Sequence, residues 1–192
     1  MSSIPRLNAI ILHGTGNTSN DNWFQWLSKE LEKMGMQVWC PNLPNTNKPN
    51  PKMVVPFILK HAPFKIDHNT LLIGHSSGSV QILHLLPHIK NPVKLALLIG
   101  SFKDNDFLKW DPNNELFSVP FDFDKCRNNC RKFTYIHSDN DPFCPLDHAK
   151  YLQSQTGGEL VIVPDQKHFS ISTMGAAYKE FPKLLEVIKK NI

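Results

Sequence analysis

Residues Leu71 to Gly78 read L-L-I-G-H-S-S-G, and this stretch decides the fold prediction for the whole chain. The apolar run predicts a strand, and the pattern from Val80 onward predicts a helix directly after it. Between them, Gly74-x-Ser76-x-Gly78 is typical of a nucleophile elbow, a sharp strand-to-helix turn that exposes one serine. Glycines flank that serine because side chains do not fit beside so tight a turn. Ser76 is therefore the predicted nucleophile, and a glycine-rich turn with an idle serine is the alternative.

A nucleophilic serine at such an elbow predicts an acid and then a histidine further along the chain. Phe133 to His137 reads as a buried strand, and residues 138–145 after it read S-D-N-D-P-F-C-P. Asp141 in this loop is the predicted acid, because a carboxylate there can accept the Nδ1 proton of a catalytic histidine. Asp139 is the alternative, and either aspartate could instead cap a turn.

The histidine is expected in a loop after the next strand. Glu159 to Val163 reads as that strand, and the loop P-D-Q-K-H-F follows it over residues 164–169. His168 is therefore the predicted base. His137 within a strand and His148 at the start of a helix are the less favourable candidates among the nine histidines.

Acyl transfer at a serine also needs an oxyanion hole, formed by the backbone N–H after the nucleophile and by one from a loop after an early strand. Asn8 to Leu12 reads as such a strand and runs into the sequence H-G-T-G at residues 13–16. The predicted donors are the N–H groups of Thr15 and Ser77.

Strand and helix patterns alternate along the chain, which predicts an α/β protein with a parallel sheet covered by helices on both faces. Pro41 to Pro56 is rich in proline and asparagine and is predicted to be a rigid loop. The predicted strands are Ala9 to Leu12, Gln37 to Cys40, Leu71 to Gly74, Lys94 to Gly100, Phe133 to His137 and Glu159 to Val163.

Residues 101–131 interrupt this alternation with aromatic side chains among polar residues and prolines. The segment directly follows the fourth strand, where a small lid is expected to insert. Trp110 and Phe117 are its predicted substrate-binding residues, because aromatic side chains could line an apolar pocket over Ser76. Anchoring of a long connection to the core is the equal alternative.

Composition favours a compact enzyme. The 192 residues are 41% hydrophobic, so we predict a single domain over residues 1–192. Four cysteines, with no signal-like start at Met1 to Asn8, predict a reducing compartment and hence a cytoplasmic location. No apolar run approaches the roughly 20 residues that span a membrane. The net charge of +4 is mild and spread out, which speaks against nucleic acid as a partner.

A metal site is not expected from the cysteines. Cys126 and Cys130 are spaced by one helical turn, but a structural zinc site needs four ligands and usually a second close pair. Cys40 and Cys144 each stand alone in the sequence.

The motifs together resemble the small α/β-hydrolases related to retinoblastoma-binding protein 9 and bacterial YdeN. The resemblance rests on H-G-T-G at residues 13–16, G-H-S-S-G at 74–78, the Asp141-Pro142-Phe143 loop and His168-Phe169. It implies a minimal α/β-hydrolase fold with about six parallel strands, a triad of Ser76, Asp141 and His168, and no metal or organic cofactor. An L-x-C-x-E type motif does not occur in this sequence, so the retinoblastoma-binding role is not carried over.

The predicted function is a serine hydrolase that cleaves a small ester or amide through an acyl-enzyme. Esters are preferred, because nothing in the chain suggests an extended cleft for a polypeptide. A non-catalytic interaction protein and an acyltransferase on the same scaffold are the alternatives. The sequence leaves the substrate and the oligomeric state open.

Overall fold

The computed structural model describes residues 6–105 and 115–192. Its six strands lie in one parallel sheet in the order β2-β1-β3-β4-β5-β6. The strands are β1 Asn8–Leu12, β2 Gln37–Trp39, β3 Thr70–His75, β4 Leu95–Ile99, β5 Phe133–His137 and β6 Glu159–Ile162. The α-helices are α1 Phe24–Lys33, α2 Pro51–His61, α3 Ser77–Leu85, α4 Phe123–Asn129, α5 Leu146–Thr156, α6 Ile171–Met174 and α7 Pro182–Asn191, with short 3-10 helices at Leu86–His88 and Gly175–Lys179. Across these two ranges, no helix combines the length and the apolar character needed to cross a membrane.

Helices cover both faces of the sheet. Successive residues of a strand point to opposite faces, so Ile11 packs with α1 and α7, whereas Ile10 and Leu12 pack with α2 and α3. The central strands β1, β3 and β4 are buried along their whole length, which explains their continuous apolar sequences. The predicted α/β fold is confirmed. Because the strands are parallel, the carboxyl ends of all six lie at the same edge of the sheet, and the loops that follow them meet there.

The start of α2 corrects one prediction. The proline-rich pattern predicts a loop throughout residues 41–56, but the helix begins at Pro51. Asn50 caps it by accepting the N–H of Lys52 at 2.8 Å, and a proline in the first helical turn loses no hydrogen bond. Pro56 lies inside the helix at an exposed position, where the prolines of the sequence pattern wrongly indicate a break.

The elbow between β3 and α3 is held in a strained conformation. Ser76 has φ 56° and ψ −125°, a backbone geometry that residues with a side chain rarely adopt. Its N–H donates to Ile99 O at 2.8 Å, and its carbonyl accepts the N–H of Ser79 at 2.9 Å. The Ser79 hydroxyl lies 2.6 Å from Gly74 O, which it can donate to, and 3.0 Å from Ile99 O. These bonds hold the turn against its strain.

Gly78 lets the start of α3 approach the end of β1. A Cβ atom on this residue would lie 2.3 Å from Leu12 O and 2.8 Å from His13 O, both backbone atoms that cannot move alone. We expect Gly78→Ala to lower the free energy of unfolding by about 3 kcal/mol, the upper end of the usual range for overpacking, because the clash is with backbone atoms. Urea unfolding followed by circular dichroism measures this.

The matched control is Gly35→Ala. Gly35 has φ +85°, a conformation that only a residue with a side chain finds strained, and a Cβ atom added to it would have no neighbour within 4 Å beyond the adjoining residues. Its substitution should cost about 1–2 kcal/mol through the left-handed backbone alone. An equal or smaller loss for Gly78→Ala would contradict the close approach of β1 and α3.

Candidate active site

Three of the predicted site residues come together at the carboxyl edge of the sheet. Ser76 follows β3, Asp141 lies in the loop after β5, and His168 lies in the loop after β6. Ser76 and His168 both line one cavity of about 260 Å³. Neighbouring parallel strands deliver their loops to the same edge, which brings together residues distant in the sequence.

Asp141 is the aspartate that contacts His168. Nδ1–H of His168 donates to Asp141 Oδ2 at 2.7 Å, and the Asp141 side chain is fully buried. The other carboxylate oxygen accepts the N–H groups of Phe143 at 2.8 Å and Cys144 at 3.0 Å. Asp139, the alternative acid, instead accepts the N–H of Asp165 at 2.9 Å.

The electrostatics of Asp141 favour its charged form. Burial by itself raises the pKa of this carboxyl group, but the hydrogen bond and the charge of His168, with the two backbone N–H groups, outweigh it and leave the pKa below its ordinary value. A carboxylate that accepts from Nδ1 leaves Nε2 of a neutral His168 without a proton. The imidazole is thus oriented to accept a proton inside the cavity.

The two predicted oxyanion-hole residues lie side by side. Thr15 Oγ1–H donates to Ser77 Oγ at 3.0 Å, which joins the loop after β1 to the start of α3. Ser77 is the first residue of α3, so its N–H has no acceptor within the helix and lies at the positive end of the helix dipole.

His13 holds the peptide that carries the Thr15 N–H. Its Nδ1–H donates to Gly14 O at 3.0 Å, and its Nε2 accepts the N–H of Leu43 at 3.0 Å. Gly14 C=O and Thr15 N–H belong to one planar peptide and point in opposite directions. By holding the carbonyl, His13 also sets the direction of the Thr15 N–H.

Sequence reasoning missed three residues that surround His168. His75 Nε2–H donates to His168 O at 2.8 Å, and Trp23 Nε1–H donates to Phe169 O at 3.0 Å. Burial and the neighbouring His168 lower the pKa of His75 to about 3, so His75 stays neutral. Gly100 has φ +56°, and a Cβ there would lie 3.1 Å from His168 Cε1. The sequence carries a signal for two of them, because His75 lies within the elbow motif at residues 74–78 and Gly100 follows the apolar run of β4.

The structure places one of the two predicted substrate-binding residues, Phe117. Trp110 lies outside the described residues, as does part of the proposed 101–131 lid segment; the last part of this segment forms α4. Phe117 contacts Phe102 and Phe121 edge-on, with ring centroids 5.6 and 5.8 Å apart. Phe102 is fully buried and lines the 260 Å³ cavity, whereas Phe117 does not.

A larger cavity of about 990 Å³ lies elsewhere, between α2, the end of α3 and α4. Its walls include Val55, Leu83 and Phe121, but not Ser76, Asp141 or His168. Size alone would favour it as a ligand site. The smaller cavity is the stronger candidate for chemistry, because it holds the nucleophile and base candidates together.

Asp141, Cys144 and His168 also form the closest approach to a metal-ligand set among the residues that the structure describes, with donor atoms within 4.8 Å of one another. The Asp141 and His168 atoms are already bonded to each other. Burial raises the pKa of the Cys144 thiol well above its ordinary value, and a metal needs the thiolate. The group therefore suits a histidine-carboxylate pair better than a cation.

Comparison with known proteins agrees with the resemblance seen in the motifs. Rat serine hydrolase RBBP9 is 24% identical over 181 residues, which cover 94% of this chain and 91% of the rat protein. The crystal structure of the ydeN gene product of Bacillus subtilis matches with a TM-score of 0.83 at 24% identity, over 96% of this chain and 98% of that one. Est1E from Butyrivibrio proteoclasticus, solved with ferulic acid bound, matches with a TM-score of 0.70 at 17% identity, over 95% and 90% of the two chains.

A family model described as serine hydrolase matches residues 9–190, nearly the whole chain. Fold, family and the convergence of the candidate residues agree, and the chain belongs to the serine hydrolase family.

Proposed function

We propose that the protein hydrolyses a small carboxylic ester through an acyl-enzyme formed on Ser76. The observation that carries the proposal is the 2.7 Å hydrogen bond from His168 Nδ1–H to a fully buried Asp141, beside a cavity that Ser76 also lines. An amide substrate would follow the same chemistry.

The first half of the reaction makes the acyl-enzyme. His168 Nε2 takes the proton of Ser76 Oγ as that oxygen attacks the carbonyl carbon. Negative charge that develops on the carbonyl oxygen is stabilised by the N–H groups of Thr15 and Ser77. The C–O bond to the alcohol then breaks, and the alcohol leaves with the proton from His168.

The second half releases the acid. His168 takes a proton from water, and the resulting hydroxide attacks the acyl carbon. The bond to Ser76 Oγ breaks, and Oγ recovers its proton from His168. Asp141 stays charged throughout and stabilises the imidazolium, in keeping with the lowered pKa of its carboxyl group.

The cavity supports a short substrate of mixed polarity. Its volume of about 260 Å³ lies just below the roughly 300–1,000 Å³ of pockets that bury drug-sized ligands. Phe102 and Phe143 give it an apolar side, and Asn17, Ser170 and Ser172 give it a polar side. Phe143 also packs edge-on against the His168 ring, with centroids 5.2 Å apart.

We therefore expect p-nitrophenyl acetate and butyrate to be cleaved with kcat/KM at least 10-fold above that of p-nitrophenyl decanoate. The long acyl chain exceeds the 260 Å³ space and must remain in water, so its apolar surface gains no burial. Initial rates at substrate concentrations below the micelle limit measure the ratio. A preference for the decanoate would contradict a small acyl site.

The nucleophile is tested by trapping it. The purified protein is treated with a fluorophosphonate, digested, and searched by mass spectrometry for the adduct. We expect a single phosphonylated peptide that includes residues 71–78, with the modification on Ser76 and not on Ser77. A folded protein without any adduct would contradict the proposal and favour an interaction protein on this fold.

A further inference from the structure

The loop that carries His168 is strained along its length. Asp165, Lys167 and Phe169 have φ of 58°, 47° and 50°, so every second residue over 165–169 lies in the left-handed region. Residues with a side chain avoid this region because Cβ approaches the following carbonyl oxygen. Such a loop keeps one conformation only where the surrounding structure holds it.

Three consecutive side chains before Asp141 hold this loop. Residues 138–140, here named the 138–140 clamp, each accept one N–H from residues 165–167. The bonds run from Asp165 N–H to Asp139 Oδ1 at 2.9 Å, from Gln166 N–H to Ser138 Oγ at 2.9 Å, and from Lys167 N–H to Asn140 Oδ1 at 2.8 Å. The clamp therefore meets the loop at the three residues directly before His168.

Ser138 and Asn140 make the clamp a closed network. The Ser138 hydroxyl accepts from Gln166 and donates to Asn140 Oδ1 at 2.9 Å. Asn140 Nδ2–H in turn donates to Asp165 Oδ1 at 3.2 Å. Asn140 thus supplies an acceptor and a donor to the loop at once, which neither a carboxylate nor an aliphatic side chain can do.

We infer that Ser138 and Asn140 are positioning residues that set the geometry of His168 against Asp141. The next residue after the clamp is Asp141 itself, so one segment both carries the acid and grips the loop of the base. Other contacts hold His168 and Phe169 by their carbonyls, from His75 and Trp23. In the preceding turn the Tyr178 hydroxyl donates to Gln166 Oε1 at 2.7 Å, whereas the clamp holds the backbone N–H groups of all three residues. The role rests on the proposed function, since it matters for turnover only if His168 acts as the base.

The first measurement reads the geometry without any substrate. The proton of His168 Nδ1–H, bonded to Asp141, gives a low-field proton NMR resonance that Asp141→Asn removes and so assigns. We expect Asn140→Ala and Ser138→Ala to broaden or abolish this resonance. Asn129→Ala is the matched control, because it removes a side-chain hydrogen bond to Leu86 O at the other end of the strands.

The second measurement is kinetic. We expect Asn140→Ala to lower both kcat for p-nitrophenyl butyrate and the rate of fluorophosphonate labelling about 10-fold, because displacements below 1 Å already weaken proton transfer. KM should change less than twofold, since the clamp does not line the cavity. Ser138→Ala should act likewise, and Asn129→Ala should leave kcat unchanged.

If Asn140→Ala folds poorly, an exchange of donor and acceptor between residues 140 and 165 tests the network instead. N140D places a carboxylate beside Asp165 and should lower kcat, whereas D165N alone keeps the acceptor and should be close to wild type. N140D/D165N restores the bond in the reverse direction, and we expect it to regain most of the kcat lost in N140D.

The outcomes separate the two proposals. A wild-type resonance and wild-type kcat in both Asn140→Ala and Ser138→Ala, or no recovery in N140D/D165N, would overturn the clamp. If Ser76→Ala were labelled like wild type, the proposed nucleophile would fail, and the resonance would still decide the clamp.

Discussion

Replacing Ser76 with alanine is expected to lower kcat/KM for p-nitrophenyl acetate by about 10⁴-fold or more and to abolish fluorophosphonate labelling. Without Oγ no acyl-enzyme forms, and what remains is the effect of binding and of the oxyanion hole on water attack. The melting temperature should stay within a few degrees, because alanine meets the same strain at φ 56° and the backbone bonds of the elbow do not involve Oγ.

The neighbouring serine provides the matched control. Ser77→Ala keeps the backbone N–H proposed for the oxyanion hole and loses only the hydroxyl that accepts from Thr15 Oγ1–H. We expect its kcat/KM to fall less than 10-fold, because the loop after β1 is loosened but no reacting group is lost. Equal losses in the two variants, or more than a tenth of wild-type activity in Ser76→Ala, would exclude Ser76 as the nucleophile.

Asp141→Asn should lower kcat by about 10⁴-fold with the fold retained. An asparagine can turn its NH₂ group toward His168, which then carries its proton on Nε2 and cannot accept one from Ser76. The loss should fall on kcat with little change in KM, because Asp141 is fully buried behind His168 and is not part of the cavity lining.

Asp139→Asn is the control that separates the two aspartates. Its amide oxygen can still accept the N–H of Asp165, so the loop that carries His168 keeps this bond. We expect kcat within about threefold of wild type, because the bond is kept and only the charge of its exposed acceptor is lost. A loss in Asp139→Asn as large as that in Asp141→Asn would show that the acid has been misassigned. Both variants are compared by steady-state kinetics and by thermal unfolding.

The fold could be predicted from the sequence because buried parallel strands are continuous apolar runs, which are visible locally. The pattern predicts Phe133 to His137 with its observed bounds, and the other strands differ by one or two residues at their ends. α2 was partly missed, because proline is read as a helix breaker although the first helical turn accepts it. The start of this helix could have been predicted by recognising Asn50 as its N-cap.

The candidate triad could likewise be proposed from chain order alone. The elbow motif selects Ser76, and the architecture then calls for an acid loop and a histidine loop after later strands. Each of these motifs follows an apolar run, so it can be recognised in a single sequence without knowledge of the fold.

Tertiary structure alone decided which groups orient His168. His75 lies 93 positions from His168, and Trp23 lies 146 positions from Phe169, yet each donates a hydrogen bond to the carbonyl of its partner. Gly100 gives the histidine ring its space, and Ser138 and Asn140 grip the loop before it. Hydrophobic periodicity reports whether a residue is buried, not which distant atom it meets. Local sequence thus determined the elbow, the strands and the order of the candidate triad residues. The partners of the candidate base depend on the tertiary structure, because they meet His168 only where the parallel strands end at one edge.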